Sequence, residues 1–181
     1  QPHTLEVSAP AAPTWSLATG LAALKVDKKG FGLYAAAHYD ELVDCPVEMG
    51  DFWVGKFTAC GVPHRFVVAG AAPSFDGQRL LADTQKICET AIRFWHGQGK
   101  APFTSYLFML NAVNDGYGGL EHRNSTALIC GRRDLPRPRA SPRAVQVQRR
   151  QAPVGARVRR ARGGRALRSL RAAAGQLPQS R

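Results

Sequence analysis

The stretch YLFMLNAVNDGYGGLEHRNSTALIC, residues 106–130, decides how the chain folds. Residues 106–113 form an apolar run that is short enough for a buried strand, and residues 127–130 form a second one. Between them, residues 114–126 are polar and rich in glycine, which is typical of a loop. We therefore predict two strands joined by a glycine-rich connection.

A helix is predicted upstream of these strands, over residues 77–96. Its apolar side chains recur at offsets that place them in one stripe, which we interpret as the core face: Leu80, Leu81, Ile87, Cys88, Ala91, Ile92 and Trp95. Asp76 or Ser74 is the expected N-cap, and Gly97 is expected to end the helix.

The residues before the helix favour β-structure. FWVGKFTA (52–59) and FVVA (66–69) predict a β-hairpin, and GVPH between them is the expected turn, so His64 is expected to be a turn residue. LAALKV (21–26) ends a region of short apolar stretches, and KKG (28–30) predicts another turn. Strands combined with one long helix place the chain in the α+β class.

Charge divides the chain near residue 131. Residues 1–131 carry ten Lys or Arg against twelve Asp or Glu, whereas residues 132–181 carry fifteen Arg, no Lys and one acid, Asp134. All fifteen aromatic residues lie in the first part, the last being Tyr117. Because the tail has too little apolar surface to offset the entropy of ordering it, we predict that it is disordered.

The tail has two interpretations. It is either an arginine-rich arm that binds nucleic acid through phosphate contacts, or the out-of-frame translation of a GC-rich gene, beginning just after RRDLP (132–136). We favour the second, because Lys is absent and the abundant residues Arg, Ala, Pro and Gly all have GC-rich codons. In either case, we expect non-specific binding of polyanions.

The four cysteines and the hydropathy pattern exclude some classes of protein. Cys45, Cys60, Cys88 and Cys130 are widely spaced, which favours buried free thiols over a metal site or a disulfide framework. The sequence holds no run of 18 apolar residues, so we predict no membrane helix.

The glycine-rich segment is the candidate functional site. Gly118 and Gly119 lack a Cβ atom, so another backbone could approach closely, and Glu121 follows at the edge of the expected strand. An extended peptide could add to this edge as a strand, with its ammonium group bound to the carboxylate. An ordinary glycine-rich turn is the alternative, and Tyr117 would either line a cleft or only cover the loop.

Four separated blocks of the sequence are YDELVDCPVEMG (39–50), GVPH (61–64), PFTSYLFML (102–110) and GYGGLEHRNST (116–126). They resemble the glycyl aminopeptidase family of zinc metallopeptidases and occur in that family's order. The resemblance spans residues 30–135. The resemblance implies that residues 1–48 end a β-rich N-terminal domain. Residues 49–135 would begin a thermolysin-like, gluzincin catalytic domain, and residues 136–181 would be the tail.

The resemblance also implies roles for residues in the last block. Glu121 matches the glutamate of the related G-x-M-E-N motif, which holds the amino terminus of the substrate, and His122 stands where that motif has Asn. We therefore expect the substrate-binding residues to be Tyr117, Gly118, Gly119, Glu121 and His122.

Zinc peptidases of this kind need an H-E-x-x-H helix, which holds the metal with two imidazoles and activates its water with the Glu. The five histidines are not followed by Glu and no two are four residues apart: His3, His38, His64, His96 and His122. We therefore expect zinc in the complete family protein, but no zinc and no catalytic residue in this chain. The chain would be an inactive fragment of an enzyme that hydrolyses peptides from the amino end.

The alternative function is a non-catalytic peptidase-like domain with a basic arm that binds nucleic acid. A bacterial origin is expected, and both cytoplasm and periplasm stay open as compartments. Because only pieces of two domains are expected, apolar faces would be exposed and the chain poorly soluble.

Overall fold

A computed structural model describes residues 1–97 and 101–138, and this part of the chain is mostly β-sheet. Its elements, in chain order, are β1 (His3–Val7), β2 (Ser16–Thr19), β3 (Ala22–Val26), β4 (Gly32–Ala36), α1 (Tyr39–Val43), β5 (Val47–Gly50), β6 (Phe52–Ala59), β7 (Val62–Ala69), α2 (Gly77–His96), β8 (Tyr106–Val113), β9 (Gly118–Glu121) and β10 (Ser125–Gly131). The prediction of a disordered tail was wrong for its first residues, 132–138, because Leu135 is buried in the core and the carbonyl of Pro136 accepts a hydrogen bond from the N–H of Asp76. The rest of the predicted tail, residues 139–181, lies outside the described residues.

The first fifty residues form a β-rich unit. Strands β1, β4 and β3 make an antiparallel sheet in that order, and β2 pairs with β5. Buried side chains from these strands and their connections form a common core, whose members include Leu17, Phe31, Tyr34 and Cys45. The β-rich N-terminal domain expected from the sequence is therefore present.

The second part is built on a five-stranded mixed sheet in the order β6-β7-β8-β10-β9. The three central strands β7, β8 and β10 are parallel, while β6 and β9 run antiparallel to their neighbours. Parallel neighbours need a long crossover, and α2 provides it between β7 and β8. Strand β9, at one end of the order, is an edge.

Both faces of this sheet are covered, because successive side chains of a strand point to opposite sides. On one face, Phe66 and Leu110 pack with Leu81 of α2. On the other, Val67 and Met109 pack against Ala18 of the N-terminal unit. The two parts of the chain therefore share a buried interface.

The predicted helix has the predicted bounds and caps. The Asp76 carboxylate accepts a hydrogen bond from the N–H of Arg79 at 3.0 Å, and Gly97, with φ of 56°, closes the helix. The core stripe is shorter than expected: Leu80, Leu81 and Ile92 are buried, but Trp95 is 61% exposed. The prediction that Trp95 lies in the core was wrong, because no described element covers the last turn of the helix.

The hairpin is present, but its predicted turn was wrong. The turn is Cys60–Gly61, and GVPH begins strand β7. Pro63 lies ahead of the point where β7 starts to pair with β8, so its missing N–H costs no bond on that side. His64 is consequently not a turn residue: it is 3% exposed and stacked on Phe57.

The cysteines are free thiols in the structure, and they differ in exposure. Cys45 is buried, Cys88 and Cys130 are half-buried, and Cys60 is exposed in the hairpin turn. The prediction of buried thiols was therefore wrong for Cys60. Within the described ranges, no helix combines the length and the apolar character needed to cross a membrane.

Candidate functional site

The candidate site lies on β9, the edge strand of the five-stranded sheet. Glu121 is the last residue of β9 and pairs with Thr126 of β10. Its side chain is exposed, and it makes no hydrogen bond or ion pair with any residue that the structure describes. Glu121 is thus a solvent-facing carboxylate at the end of a strand whose outer edge pairs with no strand in residues 1–97 and 101–138.

The two glycines of β9 differ in what surrounds them. A Cβ atom on Gly119 would lie 2.9 Å from the Leu128 side chain, so packing inside the sheet explains this glycine. A Cβ atom on Gly118 would meet nothing within 4 Å. Since nothing in the described fold requires a glycine there, Gly118 leaves a strip of backbone open to a molecule from outside.

A tight turn, residues 122–124, follows Glu121 and is held by backbone bonds. The N–H of His122 donates to the carbonyl of Ser125 at 2.8 Å, and the N–H of Leu107 donates to the carbonyl of Asn124 at 3.0 Å. These bonds connect the turn to β10 and β8. The position of Glu121 is therefore tied to the central strands of the sheet.

Asp44, from the N-terminal unit, clamps the same turn. Its carboxylate accepts a hydrogen bond from the backbone N–H of Arg123 at 2.9 Å and lies 3.1 Å from Nδ1 of His122. Burial alone would raise the pKa of Asp44, but the N–H of Arg123 and the imidazole of His122 outweigh it, so this pKa is lowered.

Asn124 makes a second connection to the N-terminal unit. Its amide nitrogen donates to the carbonyl of Gly20 at 2.9 Å, and its amide oxygen lies 3.8 Å from Sγ of the buried Cys45. A Cβ atom on Gly20 would approach this amide oxygen to 2.5 Å, so Gly20 is required for the contact. The side chain of Asn124 is therefore used internally.

Tyr106 is the first residue of β8, and its ring packs near other aromatic rings, among them Phe103 and Phe108. Its hydroxyl donates to the carbonyl of Ser125 at 3.1 Å. Burial raises the pKa of Tyr106 to about 12, and the charges of Cys88 and Glu121 add to that shift. This tyrosine is a neutral hydrogen-bond donor at physiological pH and supports the start of β10.

The structure divides the predicted substrate-binding residues into two groups. Tyr117, Gly118, Gly119 and Glu121 lie along the exposed edge, and Tyr117 is 67% exposed. His122 forms the second group: its side chain is 11% exposed and is bound to Asp44 of the N-terminal unit. The residue that sequence reasoning missed is Asp44, because no local pattern signals a contact so distant along the chain.

Zinc does not fit the residues described. In residues 1–97 and 101–138, no three His, Cys, Asp or Glu side chains come close enough together to hold a metal ion. The imidazole of His122 is paired with Asp44, and that of His64 is bound to the carbonyl of Val62. The donor set needed for a zinc site is therefore absent from this part of the chain.

Comparison with known proteins gives two similarities. Residues 1–51 match the peptidase M61 N-terminal domain. Among solved structures, the chain is similar to an aminopeptidase N family protein from Idiomarina loihiensis, with 39% identity and a TM-score of 0.71. The match covers 81% of this chain and 25% of that one, so the chain spans about a quarter of that relative's length. No curated protein matches it. The chain is therefore peptidase-related.

Proposed function

We propose that this peptidase-related chain is part of a zinc-dependent aminopeptidase of the glycyl aminopeptidase family, and that strand β9 binds the substrate. The observation that carries the proposal is Glu121, an exposed carboxylate without a described protein partner at the end of an open strand edge. In this proposal zinc is held by an H-E-x-x-H helix of the complete protein, a motif that residues 1–181 lack.

The substrate would bind by strand addition. An extended peptide pairs its backbone with the unpaired N–H and C=O groups of a strand edge, and such bonds do not depend on the side chains of the peptide. The open space over Gly118 lets the peptide backbone approach. Strand β9 would therefore orient the peptide along the sheet, whatever its sequence.

Glu121 would then select for a free amino terminus. An ammonium group bonded to a carboxylate forms a charge-assisted hydrogen bond, which contributes about 1.5–3 kcal/mol. A blocked amino terminus has no positive charge and loses this bond. Because the Asp44 clamp and the backbone bonds of residues 122–124 fix the end of β9, the backbone of Glu121 would be held in place before the substrate binds.

Peptide binding by this chain tests the role of Glu121. We expect glycyl-glycyl-glycinamide to shift the backbone amide signals of β9 in an NMR titration of the ¹⁵N-labelled chain. The N-acetylated peptide should bind at least about tenfold more weakly, since a loss of about 1.4 kcal/mol is tenfold. Glu121→Gln should lower the affinity for the free peptide by a similar factor.

Glu6→Gln is the matched control, because Glu6 is also an exposed carboxylate on an edge strand, β1 of the N-terminal sheet. It should leave the affinity unchanged. If Glu121→Gln binds the free peptide as well as the parent chain does, Glu121 does not hold the amino terminus and the proposed site is wrong.

The zinc-dependent part of the proposal is tested at the level of the gene. We expect another reading frame across codons 125–181 to encode an H-E-x-x-H helix. If none of the three frames does so, the chain has no catalytic continuation. The alternative function, a peptidase-like domain with a nucleic-acid-binding arm, would then replace the proposal.

A further inference from the structure

A groove lies between the N-terminal unit and the amino ends of β7 and β8, apart from the exposed edge of β9. Its volume is about 560 Å³, within the range of small-molecule sites. Its polar lining comes from both parts of the chain: Thr19, Lys56, Thr58, Arg65, Ser105 and Asn124.

Two cations lie side by side in this groove. Lys56 of β6 and Arg65 of β7 are direct cross-strand partners, so their side chains are on the same face of the sheet. Like charges in directly opposite positions destabilise a sheet. Within the described residues neither side chain forms an ion pair, and no carboxylate lines the groove.

Arg65 is half-buried, which makes the lack of a partner among the described residues costly. Burial lowers the pKa of Arg65, and the negative charge of Tyr34 in its ionised form opposes that shift only in part. A guanidinium that has lost part of its hydration is normally compensated by an anion or by hydrogen-bond acceptors. The chain supplies Arg65 with neither, as far as it is described, while leaving it accessible from the groove.

We propose that this groove binds a small organic anion whose carboxylate or phosphate group pairs with Arg65 and Lys56. The planar guanidinium offers two parallel N–H donors, which match two oxygens of either group, and Lys56 adds a point charge. The anion offsets both the like-charge repulsion and the lost hydration of Arg65.

The rest of the groove indicates the size and character of the ligand. Its volume exceeds that of an inorganic phosphate, and Leu21, Phe57 and Pro63 provide apolar contacts beside the hydroxyls of the lining. The ligand is therefore larger than its anionic group and partly apolar. Glu121 does not line the groove, so the proposed anion site and the proposed peptide site use different charged side chains.

Thermal unfolding of the full chain tests the proposal, with inorganic phosphate and acetate as the two probes. Each is compared with chloride at equal ionic strength, because a ligand that binds the folded state raises the unfolding midpoint. We expect phosphate, acetate or both to stabilise the parent chain, and the effective probe identifies the class of anion. If neither does, the proposal fails.

Substitutions then assign the effect to the groove, since the arginine-rich tail is the same in every variant. Arg65→Gln should weaken binding of the effective probe about tenfold or more. Lys56→Gln should weaken it about two- to fivefold, as expected for an exposed charge. Arg79→Gln, on the surface of α2, is the control and should have no effect. Equal binding by all four chains would overturn the site.

The unfolding midpoint of Lys56→Gln gives a second test, which remains valid even if the Arg65→Gln variant does not fold. Without a probe and at low salt, this substitution should raise the unfolding midpoint, because it removes a repulsion between neighbouring cations. A lower midpoint would show that Lys56 already has a stabilising partner in the protein, which contradicts a groove prepared for an anion.

Discussion

The carboxylate of Asp44 connects parts of the chain that are 78 and 79 residues apart, through His122 and Arg123. One of its oxygens accepts a backbone N–H that would otherwise remain unpaired in the turn. The other oxygen faces the imidazole. A single short side chain therefore joins the N-terminal unit to the strand that carries Glu121, which makes Asp44 a positioning residue for the proposed site.

Replacing Asp44 should destabilise the chain in a pH-dependent way. We expect Asp44→Asn to lower the free energy of unfolding by about 1 kcal/mol at pH 7, a modest value because the carboxylate is partly exposed. The folded-state pKa of Asp44 is lowered, so its contribution is complete above the unfolded value of about 3.9. It is lost as the pH falls through the folded value.

Urea denaturation at pH 7, and again at an acidic pH below the folded-state pKa of Asp44, measures the difference in free energy of unfolding between the parent chain and Asp44→Asn. The parent chain and Asp44→Asn should become similar in stability once the carboxylate of the parent is protonated. Asp115→Asn, in an exposed bend, is the control and should change the stability by less than about 0.5 kcal/mol. If Asp44→Asn lowers the free energy of unfolding by the same amount at both pH values, the charge of the carboxylate does not stabilise the fold.

At the scale of elements, the local sequence pattern predicted the helix and several of the strands. Helix α2 was predicted with its bounds, because its stripe, Asp76 and Gly97 are all local signals. The strands of residues 106–113 and 127–130 were predicted from short apolar runs; the first has the bounds of β8, and the second lies within β10. The start of β7 was missed because Pro63 and the preceding glycine resemble a turn, and only the register with β8 shows that a proline is tolerated there.

Helix α2 should be stabilised mainly by its first half. Leu81 is 8% exposed and packs beside Trp53, whereas Phe94 is 76% exposed. We expect Leu81→Ala to lower the free energy of unfolding by about 2–5 kcal/mol, because it leaves a cavity between the helix and the sheet. Phe94→Ala should cost less than about 1 kcal/mol.

Chemical denaturation followed by circular dichroism gives both values. If Phe94→Ala were as costly as Leu81→Ala, an element outside the described residues would have to cover the end of α2. Phe94 and Trp95 lie side by side at this end and form an exposed apolar surface, of the kind for which poor solubility was predicted.

For the whole molecule, the sequence correctly indicated a relation to peptidases and a β-rich N-terminal domain. It did not indicate how the two parts meet. The packing of Ala18 on Val67 and Met109 depends on side chains about fifty and ninety residues away in sequence, and no local pattern records such contacts. Gly118, Gly119 and Glu121 were predicted as site residues from the glycine-rich pattern and the resemblance, and their role stays a prediction. The Asp44 clamp and the cationic groove came only from the fold.

The arginine-rich tail makes a prediction for the intact chain. We expect it to bind DNA with an affinity that falls steeply with salt, as counterion release requires, and that is lost when residues 132–181 are deleted. A chain whose tail has the same composition in scrambled order should bind equally well. Binding by the natural tail that is more than about tenfold tighter would instead favour a functional nucleic-acid-binding arm.

The clamp on residues 122–124 has a consequence for the order of synthesis. Gly20, Asp44 and Cys45 leave the ribosome well before the turn that they bind, because a chain is made from its amino end. The N-terminal unit is therefore already present as a template when β9 and β10 emerge. The turn that ends β9 can thus bind to a unit that was synthesised before it, which fixes the position of this edge strand as soon as it is made.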